Sequence, residues 1–269
     1  FDTGEDLVFK INPEAENASI EREYHVLKYF ADNTGMPVPE PYLIDSEANL
    51  IPGTVLVMKR LPGAVMHHVF SSLSGMQRDS ITDEISHYVC ELHKDKRKGF
   101  GGVELSETER RERWPDFWLP RFDAVFKEVT ESGLFSAEFL SEVRHVREYF
   151  PDFLDIGTES TVCHYDIWSG NVMIDMMNGK ARVSGFIDIP GFCADYAREL
   201  SFMLMFGLAD RRFLSQYIEE HNLDPGFELR VNIYNLKMHM KHVTMYPEQW
   251  YYRNGAESCL AVIKKSIQS

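Results

Sequence analysis

The stretch HYDIWSGN at residues 164–171 contains the polar groups around which the fold and the chemistry of this chain are organised. An apolar run at 172–174 follows it, then the turn pair Asn178-Gly179, then a second apolar run at 183–187. This pattern predicts two antiparallel strands joined by a tight turn. The stretch therefore lies at the open end of a predicted β-hairpin.

Three side chains at this end of the hairpin are suited to phosphoryl transfer. With the turn pair as the loop, Asn171 and Asp188 lie one diagonal step apart, roughly 7 Å between backbones. An amide oxygen and a carboxylate at that separation are ligands that Mg²⁺ accepts when phosphates and waters complete its shell. Asp166 is left to orient a substrate hydroxyl and to take its proton. We predict Asp166 as the catalytic residue and Asn171 with Asp188 as the metal ligands.

The spacing H-x-D-x-x-x-x-N followed by a metal-binding Asp is the one that protein kinases use. In protein kinases the metal Asp is followed by an activation loop that ends in A-P-E. Here the chain passes from Asp188 through Pro190-Gly191 to a predicted helix that begins near Asp195. No regulatory loop of that kind fits in this space.

Two segments, CHYDIWSGN at 163–171 and SGFID at 184–188, resemble the aminoglycoside phosphotransferase family with its fructosamine kinase and choline kinase relatives. The W-S-G motif is most similar to that of fructosamine kinases. The S-G-F-I-D motif is most similar to that of aminoglycoside 3'-phosphotransferases. The resemblance implies an α+β, protein-kinase-like fold in two lobes. A small antiparallel-sheet lobe would span residues 1–62, and a mainly helical lobe residues 63–269. One departure is Tyr165, because these relatives usually have glycine after the histidine.

The same resemblance assigns residues to the nucleotide. Lys10 and Glu23 match the strand lysine and helix glutamate that such kinases pair to grip the α- and β-phosphates, and Glu21 is then the exposed neighbour. Lys59 and Leu61 fall where the family binds adenine through backbone groups of the hinge between the lobes. The resemblance thus implies ATP and Mg²⁺ as cofactors.

The glycine-rich hairpin that should precede Lys10 is missing from the sequence. Either the sequence begins inside the small lobe or the lid over the phosphates is reduced. Together with Tyr165, this keeps open a second class of function, a nucleotide-binding relative that no longer transfers phosphate. The intact Asp166, Asn171 and Asp188 argue against that alternative.

Composition limits the partners. The chain has 269 residues with 44% hydrophobic content, enough for two lobes with real cores. A formal net charge of −14 argues against nucleic acid or an anionic membrane as the main partner.

There is no apolar run of about 18 residues and no basic-then-apolar leader, so we expect a cytoplasmic protein. The four cysteines are far apart in the sequence, and we expect them to be reduced.

The acidic surplus, 42 acidic against 28 basic residues, favours a cationic acceptor. Candidate ligands are Asp195 and Glu199 after the metal site, and Glu248 or Glu257 near the aromatic run 250–252, whose faces can also receive an ammonium. The alternative for each of these acids is that it only keeps the surface of a helix hydrated and binds no ligand. The sequence predicts ATP-dependent phosphorylation of a small, amine-bearing alcohol, with aminoglycosides ahead of fructosamines and choline-like alcohols. It leaves open the acceptor, the choice between ATP and GTP, and the oligomeric state.

Overall fold

The computed structural model describes residues 4, 6–13, 18–47 and 52–268, and these residues form two lobes. The small lobe is an antiparallel sheet with strand order β1-β3-β2 and one long helix. Its elements are β1 (Leu7–Asn12), α1 (Ala18–Asn33), β2 (Pro41–Asp45) and β3 (Thr54–Lys59). The central strand β3 has five consecutive buried residues because it has strands on both sides and α1 packs against it.

Helix α1 is amphipathic, and its orientation places one glutamate in the cleft. Val26, Leu27 and Phe30 are almost fully buried, which fixes the face of α1 that packs on the rest of the protein. Glu23 lies beside this face and is partly buried, whereas Glu21 is exposed. The exposure of the two glutamates agrees with the choice of Glu23 that the family resemblance implied.

The large lobe contains nine α-helices, one short 3₁₀ helix (Phe70–Ser72) and two further small sheets within the described residues. Its helices are α2 (Met66–Val69), α3 (Gly75–His93), α4 (Trp114–Ser132), α5 (Ala137–Arg147), α6 (Phe150–Phe153), α7 (Tyr196–Met205), α8 (Arg211–Glu220), α9 (Phe227–Met245) and α10 (Trp250–Gln268). Its strands are β4 (Ala64–Val65), β5 (Lys96–Lys98), β6 (Gly101–Gly102), β7 (Glu159–Cys163), β8 (Val172–Met177), β9 (Lys180–Phe186) and β10 (Phe192–Ala194). The α+β, two-lobed architecture predicted from the sequence is confirmed.

The predicted hairpin is β8–β9. Its loop residues Asn178 and Gly179 have φ values of 52° and 78°, the left-handed backbone that a tight two-residue hairpin turn needs. Nearer the open end the pairing shifts by one position, because Ser184 is an extra residue on β9. As a result the backbone N–H of Ile187 donates to the carbonyl of Asn171 at 3.0 Å.

This β-bulge corrects the geometry expected from the sequence. A regular ladder would place Asp188 two positions beyond the residue that faces Asn171. In the structure it follows directly after the facing residue, and its φ of 51° turns the chain away from the strand. The bulge thus brings Asp188 one residue nearer to Asn171 along the ladder than the sequence predicted.

All four cysteines, Cys90, Cys163, Cys193 and Cys259, are buried and free, as expected. Within the described residues, none of the helices has the combination of length and apolarity that is needed to cross a bilayer.

Candidate active site

The loop between β7 and β8 is fixed by contacts beneath it. Tyr165 has a φ of 84°, a left-handed conformation that costs a residue with a side chain roughly 1–3 kcal/mol. Its N–H donates to Glu199 Oε2 at 3.3 Å, so the acid on α7 braces the loop. The tyrosine ring packs 4.7 Å from the Phe192 ring and 4.4 Å from the guanidinium carbon of Arg198. These contacts show how a tyrosine is accommodated at a position where glycine was expected.

Asp166 is held by the residue that also supplies a predicted metal ligand. Asn171 Nδ2 donates to Asp166 Oδ2 at 2.9 Å and to the Asp166 carbonyl at 3.0 Å. Burial raises the pKa of the Asp166 carboxyl to about 6, although Arg198 and the hydrogen bond from Asn171 act in the opposite direction. A carboxylate in this range can orient a hydroxyl and accept its proton near neutral pH.

Asn171 and Asp188 provide donors that suit a magnesium ion. Because the amide nitrogen of Asn171 is used on Asp166, its side-chain oxygen is the atom left for a cation. Asp188 has a side chain that is 60% exposed and faces the cleft, where Oδ1 lies 3.4 Å from Lys10 Nζ. One neutral oxygen and one carboxylate that already attracts a cation fit Mg²⁺, whose shell is otherwise completed by phosphates and water.

Lys10 and Glu23 form the pair that the sequence predicted. Lys10 Nζ lies 2.7 Å from Glu23 Oε2, and the glutamate side chain is mostly buried. The lysine ammonium is therefore placed between the carboxylates of Glu23 and Asp188. Exposed Glu21 contributes nothing to this arrangement.

A cavity of about 350 Å³ lies between the lobes, next to this pair. Lys59 and Leu61 line it at one end, and Lys10, Glu23 and Asp188 at the other. Its remaining lining is largely apolar and includes Val8, Leu27, Met58, Met173 and Ile187. The cavity can enclose the flat ring of a nucleotide base near residues 58–61 and leave the charged end for the phosphates of that nucleotide. The structure thus brings together all four residues assigned to the nucleotide.

A second cavity, of about 490 Å³, opens on the other side of Asp166. Its walls are mainly aromatic, formed by Trp168, Phe202, Phe206, Tyr246, Tyr251 and Tyr252. Lys241 and His242 also line it, and Asp166 is the one carboxylate among its lining residues within the described chain. The aromatic run near residue 250 contributes Tyr251 and Tyr252, as anticipated, whereas Trp250 is 70% exposed and lies outside the lining.

The acids proposed as acceptor ligands are placed elsewhere, and this part of the prediction is wrong. Asp195 is buried, caps α7 by accepting from the Ala197 N–H at 3.0 Å, and pairs with Arg230 at 2.7 Å. Glu199 is buried beneath the loop between β7 and β8, 3.5 Å from His93. Neither acid reaches the aromatic cavity.

The two acids near the C-terminus do not reach the cavity either. Glu248 and Glu257 are exposed, and neither is among its lining residues in the described chain. The sequence correctly predicted helices in the last segments. The prediction of which residues face the cavity was wrong. Four residues of α9 line the cavity, Met238, Lys241, His242 and Met245, and they follow the helical pattern i, i+3, i+4, i+7. This pattern is the sequence signal from which they could have been predicted.

A family model and several known proteins are similar to this chain. The family model described as "Phosphotransferase enzyme family" matches residues 1–224. A protein-ribulosamine 3-kinase from Oryza sativa subsp. japonica is 24% identical over 263 residues, which are 93% of this chain and 70% of the relative.

Two solved structures share the fold. A protein from Thermobifida fusca YX-ER1, named as a fructosamine-3-kinase, has a TM-score of 0.70 at 19% identity over 96% of this chain and 85% of its own. The ADP-bound aminoglycoside phosphotransferase APH(2'')-Ib has a TM-score of 0.63 at 14% identity over 94% of this chain and 85% of its own. Because the family model covers most of the sequence, the chain belongs to the phosphotransferase enzyme family, as a relative of small-molecule kinases.

Proposed function

We propose that this protein transfers the γ-phosphoryl group of ATP to a hydroxyl of a small, amine-bearing sugar derivative. The observation that carries the proposal is the position of Asp166. It lines the aromatic cavity and is hydrogen-bonded to Asn171, while Asp188 lines the cavity between the lobes. An acceptor in one cavity and a nucleotide in the other would therefore meet at Asp166.

On the nucleotide side, residues 1–62 would form the lobe that holds ATP and residues 63–269 the lobe that holds the metal and the acceptor. Lys10, kept in place by Glu23, would bind the phosphates, and the backbone at Lys59 and Leu61 would bind the adenine. Asn171 and Asp188 would hold Mg²⁺, which neutralises the charge of the β- and γ-phosphates when bound.

On the acceptor side, Asp166 would accept a hydrogen bond from the reacting hydroxyl and take its proton as the phosphoryl group transfers. This transfer requires little covalent help, so the main task of the protein is to position the two substrates. The intact pair of Asp166 and Asn171 supports an active enzyme over a relative that only binds nucleotide.

The lining of the aromatic cavity supports a ketoamine ahead of an aminoglycoside, which reverses the order expected from the sequence. An aminoglycoside bears several ammonium groups and would need several carboxylates, yet Lys241 and His242 share this wall with only Asp166 among the described residues. The aromatic faces suit a single ammonium, while Asp166, the one carboxylate of the described lining, is left for the reacting hydroxyl. The ribulosamine kinase that matches 93% of the chain also supports this order.

The direct test is an ATP-consumption assay coupled to mass spectrometry of the acceptor. We expect phosphate to appear on fructosyl-lysine, with no comparable turnover of an aminoglycoside, choline or fructose. Asp166→Asn serves as the control for phosphoryl transfer. Turnover of fructose alone would contradict an amine-bearing acceptor. ATP consumption no faster than in Asp166→Asn with every acceptor would instead support the nucleotide-binding alternative.

A further inference from the structure

Three cations next to the loop between β7 and β8 have no carboxylate partner among the described residues, whereas three other cations nearby do have one. Arg22 pairs with Glu104, Arg230 with Asp195, and Lys241 with Glu128. Arg121, Arg198 and Lys237 form no such pair with any acid in the described parts of the chain. In a protein with a formal net charge of −14, three neighbouring cations without acids are unexpected.

Arg198 is the most unusual of the three. It is 5% exposed, and its Nη1 atom is buried without a hydrogen-bond partner in the described structure. Its guanidinium lies on the Tyr165 ring and 3.7 Å from Met238 Sδ through Nη2. A buried guanidinium nitrogen without an acceptor costs free energy, so such a group is normally satisfied by a partner. None of the described residues supplies an acceptor for this atom, so an acceptor on a bound molecule would satisfy it.

Arg198 is also adjacent to the aromatic cavity and to Asp166, the two parts of the proposed acceptor site. Its guanidinium carbon is 5.3 Å from the Phe202 ring, and both Phe202 and Met238 line the aromatic cavity. It is close enough to Asp166 to act on the pKa of that carboxyl. A group bound at Arg198 would therefore belong to a molecule whose hydroxyl reaches Asp166.

Lys237 and Arg121 extend the positive region away from the loop. Burial lowers the pKa of Lys237 to about 7, and the charged groups that act on it are Arg198, Arg121 and Lys241, all of them cations. Lys237 lies one helical turn before Lys241, which lines the cavity. The guanidinium of Arg121 stacks 3.7 Å from the Phe117 ring and donates to the Phe117 carbonyl at 2.6 Å, so its remaining donors are not used by an acid.

We propose that Arg121, Arg198 and Lys237 form a subsite for a carboxylate of the acceptor. The inference rests on the proposed kinase function and narrows its substrate to a ketoamine derived from an amino acid. Such a molecule has an ammonium for the aromatic cavity, sugar hydroxyls for Asp166 and a carboxylate for the cations. Arginine suits this task because its fork of donors matches the two oxygens of a carboxylate.

Two synthetic acceptors that differ only in this group provide the test, the fructosyl adducts of β-alanine and of β-alaninamide. Their binding is measured by calorimetry and their phosphorylation by steady-state kinetics, on the full chain. We expect the carboxylate adduct to bind at least roughly tenfold more tightly than the amide adduct, which is the usual effect of a hydrogen bond between charged groups. Lys237→Met, which keeps most of the length of the side chain, should remove most of that preference without weakening the amide adduct. Lys127→Met changes an exposed lysine of α4 and serves as the matched control.

Arg198→Gln should reduce the same preference and serves as a second variant if Lys237→Met does not fold. Equal affinity of the native protein for the two adducts would overturn the subsite, as would an equal loss for both adducts in Lys237→Met. If neither adduct is phosphorylated, the proposed function fails, whereas the calorimetric comparison still decides whether a carboxylate is bound.

Discussion

The ammonium of Lys10 lies 2.7 Å from Glu23 Oε2, across the boundary between strand β1 and helix α1. This contact fixes the end of a flexible side chain where phosphates would bind, and it does so without a contribution from Glu21. The two glutamates are two residues apart and differ only in the face of the helix they occupy, so they form a natural pair of test and control.

Lys10→Ala and Glu23→Ala should each weaken ATP binding, the first by removing a charge and the second by releasing the lysine. We expect a loss of roughly tenfold or more for Lys10→Ala, the usual range for hydrogen bonds to charged groups. Glu21→Ala should bind ATP like the native protein. Titration with a fluorescent nucleotide measures all three, and equal losses from Glu21→Ala and Glu23→Ala would show that the helix face is assigned wrongly.

Asp188→Ala should abolish the part of nucleotide affinity that depends on Mg²⁺. Asn171 alone offers one neutral oxygen, which is too little to hold the ion in competition with water. The measurement is ATP affinity with Mg²⁺ and with EDTA, compared between the native protein and the variant. An unchanged ratio of the two affinities in Asp188→Ala would exclude this carboxylate as a metal ligand.

Asp195→Ala should reduce stability rather than acceptor binding. The Asp195–Arg230 pair has exposures of 0% and 4%, so loss of the acid leaves a buried guanidinium with one fewer partner. Removal of one member of such a pair costs about 3–5 kcal/mol in the free energy of unfolding. Urea denaturation measures this cost. Exposed Glu257→Gln is the control and should change stability by no more than about 0.5 kcal/mol. A fully stable Asp195→Ala would contradict a structural role.

Stability at low pH should depend on Asp224. Hydrogen bonds from Arg230 hold the pKa of this carboxyl well below its usual range in the folded state. Its contribution is present above the unfolded pKa of about 3.9 and is lost as the pH falls towards the folded value. Between pH 7 and pH 3 the native protein should thus lose more unfolding free energy than Asp224→Asn. Equal losses in urea titrations at both pH values would contradict this role.

Most of the catalytic hairpin could be predicted from the sequence because the interactions that define it are local. The pair Asn178-Gly179 adopts the backbone that its residue types favour, and alternation in the flanking strands fixes the rest. The bulge at Ser184 could not be predicted, since it depends on contacts outside the hairpin. The N–H of Phe186 donates to the Pro37 carbonyl of the small lobe at 2.8 Å, and Ser184 Oγ donates to the Pro62 carbonyl at 2.7 Å.

The acceptor side was predicted less well for the same reason. Counting acids favoured Asp195 and Glu199, but their partners Arg230 and His93 lie far away in the sequence. The packing of α7 against α9 pairs Asp195 with Arg230, and the end of α3 brings His93 to Glu199, so both acids are buried next to a partner. Arg198, next to Glu199, has no acid partner among the described residues, and the sequence could not predict this because it depends on groups that are distant in the chain.

Single-turnover phosphorylation by Asp166→Asn tests most directly whether Asp166 is the catalytic residue of a small-molecule kinase. The variant keeps the shape of the side chain and the hydrogen bond to Asn171 while removing the proton acceptor. We predict native ATP affinity with a transfer rate lower by roughly 10²- to 10⁴-fold, the usual contribution of a general base. Transfer at a rate within a few-fold of the native protein would contradict the assignment.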